Sequence, residues 1–104
     1  MIRARYGRRS MCLDLRGHAL FGPKGQDLVC AAASALAFTA AAALEDEAER
    51  FYPRIVERPG ALRISCEPAE GSRRACRRLL DTIWIGFELL AQQFPEHLSA
   101  EKEE

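Results

Sequence analysis

Two short alternating stretches open the chain. Ile2 to Tyr6 and Met11 to His18 read as strands joined by a turn at Gly7-Arg8-Arg9-Ser10. In the second, Leu13 and Leu15 project to one side, and Cys12, Asp14, Arg16 and His18 to the other. Gly22-Pro23-Lys24-Gly25 then breaks the alternation as a loop. From about Asp27, a favourable N-cap, to about Glu49 the chain is Ala-rich and helical, with Val29, Leu36, Ala40 and Leu44 as a candidate core stripe. Arg54–Glu57 and Ala61–Cys66 are two further strands around the turn Arg58-Pro59-Gly60. A second helix is expected over about Ser72 to Gln93, where Cys76, Leu79, Leu80, Ile83, Phe87, Leu90 and Phe94 repeat at helical spacing before Pro95 stops it. Trp84, Ile85 and Leu89 lie beside that stripe. The widened face fits either one broad buried surface or contact with a second subunit.

The order ββαββα predicts an α+β fold in two layers, a small, mainly antiparallel four-stranded sheet with two helices on one face. Residues 1–95 form a single domain in this reading, and 96–104 a mobile charged tail. A chain of 104 residues suffices for one hydrophobic core and not two. With 48% apolar and 29% charged residues it reads as globular. Lys+Arg and Asp+Glu balance at 15 each, so total charge points to neither nucleic acid nor membrane. The charge is uneven, however. Arg3, Arg5, Arg8, Arg9 and Arg16 stand against Asp14 near the N-terminus, and Arg73, Arg74, Arg77 and Arg78 form a second cluster, both read first as solvated faces. No apolar signal region precedes the first arginines. The uncharged run from Leu28 to Leu44 is shorter than the ~20 residues a bilayer requires. A cytoplasmic protein with no membrane partner is therefore expected. Cys12, Cys30, Cys66 and Cys76 contain no C-x-x-C pair, and reduced thiols are the default.

One of these thiols is placed for chemistry. A nucleophilic cysteine requires a thiolate near neutral pH, a base within reach and donors for an oxyanion. Cys30 falls in the first turn of the Ala-rich helix, where unpaired amides and the helix dipole favour negative charge. His18 closes the preceding strand, and the loop between them, with glycines that permit close approach, can fold it back. Spacing alone leaves another reading open, with Cys30 a small buried hydrophobe and His18 a satisfied strand-end histidine. A third member is equally open. Asp14 is roughly 13 Å along the strand from His18. Asp27 suits N-capping or orienting His18, and Ser34 suits a bond near the thiol or packing on the sheet. A Cys12–His18–Cys30 metal site lacks the usual close ligand spacing, so neither metal nor cofactor is expected.

Gly17-His18-Ala19, then five residues, then Gly25-Gln26-Asp27-Leu28-Val29-Cys30-Ala31-Ala32-Ala33-Ser34-Ala35-Leu36 resembles the signature of the ribosomal-processing cysteine protease family (Prp): G-H-A, a short variable loop, and G-x-D-I-V-C-A-A-x-S-A-L. The histidine-to-cysteine spacing of twelve is kept. Leu28 stands for the usual isoleucine and Ala33 for a frequent valine, and neither change removes a reactive group. Phe94-Pro95-Glu96-His97-Leu98 is similar to the family's Y-P-x-x-hydrophobic ending. The resemblance implies Cys30 as nucleophile and His18 as base, with Asp27, Ser34, Gly17 and Gly25 as possible supports. It also implies a homodimer, a loop from Ala19 to Gln26 that orders around substrate, and removal of the short N-terminal extension of large-subunit ribosomal protein twenty-seven after a pair of phenylalanines. The alternative is a non-enzymatic, ribosome-associated homodimeric binding module of the same fold that uses the arginine patches to dock on RNA or a protein face. Balanced charge and few aromatics make direct nucleic-acid binding unexpected.

Overall fold

A computed structural model describes residues 1–17 and 28–104. The elements are β1 (Ile2–Gly7), β2 (Cys12–Arg16), α1 (Leu28–Asp46), α2 (Ala48–Phe51), β3 (Pro53–Arg58), β4 (Ala61–Cys66), α3 (Arg73–Gln93) and β5 (Leu98–Glu103). They make an α+β fold with one mixed sheet in the order β3-β4-β2-β1-β5. The four expected strands pair antiparallel, with Ala4 opposite Leu15, Leu15 opposite Leu62, and Ile64 opposite Ile55.

The expected four-stranded sheet with two helices is corrected in two respects. The segment taken as a mobile tail supplies β5, which pairs parallel with β1 in the register Ile2 to Leu98. Only Leu98 and, in part, Ala100 turn to the core. The remaining charges line a sheet edge, where Arg5 pairs with Glu103 at 3.0 Å and with Glu101 at 3.8 Å. Charged residues on an edge strand discourage pairing with other chains, which is why this strand looks like a tail in the sequence. The first helix also ends earlier than expected. Glu47 departs from helical geometry, and the short α2 follows, closed by Tyr52 in the left-handed region at φ 44°. The break seats Phe51 in the core, 1% exposed.

Alternation decides the layers. Ile2, Ala4, Tyr6, Leu13, Leu15, Leu62, Ile64 and Leu98 face the helices, while the other sheet face carries Arg3, Arg5, Arg16 and Arg63. Helix α1 presents Val29, Ala33, Ala37, Ala40, Ala41 and Leu44 to the core. By length and composition it could cross a bilayer, but this face is packed inside the domain. Where α1 meets α3, Gly86 makes room for Leu36: a Cβ there would lie 2.6 Å from Leu36 Cδ2. Trp84, placed beside the α3 stripe by its spacing, is 2% exposed and packs between Tyr6 and Phe87, with ring centroids 5.6 and 5.8 Å apart. Only Ile85 and Leu89 of the widened face remain exposed.

One polar lock ties α3 to the sheet. Tyr6 Oη donates to Asp81 Oδ1 at 2.8 Å, and Arg8 Nε and Nη2 donate to the two carboxylate oxygens at 3.1 and 3.2 Å. Burial alone would raise the Asp81 carboxyl. The hydrogen bonds from Arg8 and Tyr6, with the Arg8 charge, outweigh it and hold Asp81 below the usual carboxylate range. Burial and the Asp81 carboxylate together push the Tyr6 hydroxyl far up.

Candidate active site

Helix α1 positions Cys30. It is the third residue of the helix, half-buried, and packed against the core. From Leu28 on, the first turn of α1 carries no acidic side chain. Amides at this end have no carbonyl partner within the helix and point along its axis toward incoming negative charge.

The other three thiols occupy different settings. Burial raises Cys12, which lies beside Asp14 and Arg63 on the open sheet face. Burial, then the neighbouring Cys76, pushes Cys66 up to about 12, and burial also raises Cys76 against the pull of its hydrogen bond with Cys66 and of Arg77. A thiol held protonated is a poor nucleophile. Because Cys12 is on the open face and Cys30 on the helix side, the sheet separates two of the three ligands weighed for a metal site. No cluster of three or more His, Cys, Asp or Glu suited to a metal ion occurs among the described residues.

Gly17 ends β2 in a conformation that a side chain disfavours, at φ 147°. A Cβ there would lie 2.4 Å from the Met1 carbonyl oxygen and 2.9 Å from Ile2 Cα. Its N–H donates to Gly60 O at 3.0 Å, so the turn between β3 and β4 fixes the point from which the chain leaves the sheet. Gly17 is therefore a structural residue at the root of the segment that carries His18. His18, Gly25 and Asp27 lie outside the described residues.

Ser34 follows Cys30 by one helical turn on the same face. It lines a cavity of about 230 Å³ with Leu15, Ala37, Phe38, Ala61, Leu62 and Glu57. The cavity lies between α1 and the ends of β2, β3 and β4 and is mostly apolar. Among the described residues, Glu57 is the one charged group in its wall. The pattern along α1 carries no sign of it, because no charge lies between Asp27 and Glu45. The signal was the strand pattern: Glu57 stands opposite Leu62 and thus on the core side of the β3 edge.

The model of the cysteine protease Prp family matches residues 1–99. The chain belongs to the Prp family of cysteine proteases. Among solved structures, SMU.848 from Streptococcus mutans is 28% identical, covering 98% of this chain and 93% of that one, with a TM-score of 0.73. The essential ribosomal-processing protease Prp of Staphylococcus aureus is 20% identical in two complexes. The one with a substrate peptide covers 99% of this chain and 100% of that one at a TM-score of 0.78. The one with a covalently linked product peptide covers 98% and 97% at 0.76. At that identity the S. aureus complexes establish a shared fold. No curated protein matches the chain. Membership in Prp makes the chain an enzyme, a peptide-bond hydrolase of the cysteine type.

Proposed function

We propose that this Prp-family protease removes the short N-terminal extension of large-subunit ribosomal protein twenty-seven, with Cys30 as nucleophile and His18 as base. The observation that carries the reading is Cys30 in the first turn of a 19-residue helix, one turn from a largely apolar cavity. The Cys30 sulfur attacks the scissile carbonyl carbon, and first-turn amides receive the oxyanion. The C–N bond then breaks, the amine leaves with a proton from His18, and water releases the acid from the thioester. The S. aureus Prp, a ribosomal-processing protease solved with a substrate peptide and with a covalently linked product peptide, supports a peptide substrate of this kind. The apolar cavity suits a phenylalanine next to the cut, whose burial contributes roughly 1.5–3 kcal/mol.

The test is incubation of the pure protein with the full-length ribosomal protein, followed by mass spectrometry of the new N-terminus. Cys30→Ala should abolish cleavage with the fold intact. His18→Ala should slow it about 10²-fold or more, the usual scale for a positioned base. An intact ribosomal protein after prolonged incubation refutes the substrate, and residual cleavage by Cys30→Ala at the wild-type rate refutes the nucleophile. A homodimer completes the proposal. Ile85 and Leu89, 54% and 56% exposed one turn apart on α3, offer an apolar patch for it, and a monomer by light scattering at micromolar concentration would refute it.

A further inference from the structure

The chain's zero formal charge hides a strongly polarised surface. An open groove of about 1030 Å³ runs from the β1–β2 turn along the first turns of α3, lined by Arg8, Arg73, Arg74, Arg77, Arg78 and Asp81. The fold brings Arg8 to the second cluster: Arg77 Nε donates to Arg8 O at 3.3 Å. The single acid is already engaged, since Asp81 accepts from both Arg8 and Tyr6. Among the described residues, Arg73, Arg74, Arg77 and Arg78 take part in no ion pair, although Glu67 and Glu70 precede them in the chain.

Two features of this arrangement work against the helix that bears it. Arg73 and Arg77, and Arg74 and Arg78, are like charges four residues apart, which weakens a helix. They also crowd the positive end of its dipole, where cations are disfavoured and where α3 has no acidic residue. An anion in the groove relieves both. The lining identifies the kind of anion. Among the described residues it holds no large apolar or aromatic side chain, only Ala75 and Gly71 besides the charged groups, so the anchors of a protein interface are missing. The stacking platform for unpaired bases is missing too. What remains is a row of guanidinium forks, with arginine pairs one helical turn apart, a step comparable to that between successive phosphates.

We propose that this groove docks the protease on the phosphate backbone of double-helical RNA. The phosphodiester chemistry follows from the groove, and the choice of RNA rests on the ribosomal reading above. The contact is sequence-independent, because backbone contacts position without reading bases.

Fluorescence anisotropy of the full chain with a labelled 20-base-pair RNA duplex tests this. A DNA duplex of the same sequence and a polyglutamate peptide serve as reference probes. Binding to RNA is expected at 50 mM salt, with log K falling against log salt at a slope near −3.6 for about four phosphates. DNA should bind within about threefold of RNA, and polyglutamate much more weakly. Arg74→Glu/Arg78→Glu should lower RNA affinity at least tenfold and reduce the slope by about 2. Glutamate at a helix start favours the helix, so the variant keeps its fold and should cleave a short free peptide at the wild-type rate. Absence of RNA binding, equal binding of polyglutamate, or an unchanged affinity in the double variant overturns the proposal. The binding assay needs no proteolysis, so its failure and that of the substrate assignment are separately visible.

Discussion

Replacing Gly17 by alanine tests whether the root of the histidine-bearing segment is held as described. The new Cβ would sit 2.4 Å from Met1 O, so the start of β1 must retreat by roughly 1 Å to restore a normal contact. That movement strains the bond from Ile2 N–H to His97 O, 2.8 Å long, which ties β1 to the start of β5. An alanine at φ 147° adds about 1–3 kcal/mol of backbone strain, and the weakened hydrogen bond about 1 kcal/mol. The total is about 2–4 kcal/mol, or a fall in melting temperature of about 10–25 °C for a domain of this size. Gly71 is the control. It also has positive φ, at 85°, but its Cβ would meet nothing within 4 Å, so Gly71→Ala should cost only about 1–2 kcal/mol. Urea unfolding of both variants, with cleavage rates measured well below their midpoints, provides the comparison. If Gly17→Ala is no less stable than Gly71→Ala, the close approach to Met1 and Ile2 does not constrain this site and the reasoning fails.

Asp81→Ala should destabilise the fold by about 1–3 kcal/mol, because it orphans the Tyr6 hydroxyl on a residue that is 1% exposed, while Asp81→Asn keeps an acceptor and should cost less. The Asp81 carboxyl is depressed in the folded state, so its stabilisation is present above the unfolded value of about 3.9 and lost as pH falls through the folded value. The acid limb of a stability–pH profile should therefore flatten in Asp81→Asn, and an unchanged limb would refute the lock. Iodoacetamide at neutral pH, followed by peptide mapping, should label Cys30 before Cys12, Cys66 or Cys76, since burial raises those three; early labelling of Cys66, held up to about 12, would contradict its buried placement. Glu57→Gln should selectively slow cleavage of peptides with lysine beside the cut and leave phenylalanine peptides unaffected, and an equal effect on both would remove Glu57 from the pocket wall.

Most of the sheet was legible because period-two alternation survives in β1, β2 and β4, where Ile2, Ala4, Tyr6, Leu13, Leu15, Leu62 and Ile64 mark the core face. Strand β5 was not, because an edge strand needs only Leu98 and Ala100 for the core, and its glutamates read as solvent-exposed tail. Within α1 the stripe was only half visible. Val29, Ala40 and Leu44 are buried as expected, but Ala33, Ala37 and Ala41 carry no contrast in a helix made largely of alanine, and Leu36 turns toward Gly86 instead. Cys30 stood out through its position and motif, whereas Glu57 shows itself only once its place on the Ile55 face of β3 is combined with the pairing of β3 and β4.

The parallel pairing of β1 with β5 also sets the order in which this enzyme can be born. Strand β1 leaves the ribosome shortly before its partner β2, but its other edge stays bare until residues 98–103 have emerged. A chain of this size takes roughly 5–20 s to be made, and for nearly all of that time the hairpin exposes a template for stray strand pairing. The last contacts to form are also the most distant in sequence, the kind that slow folding. A chain cut short before residues 98–103 would thus present a sheet without this edge strand, however complete the helix that carries Cys30.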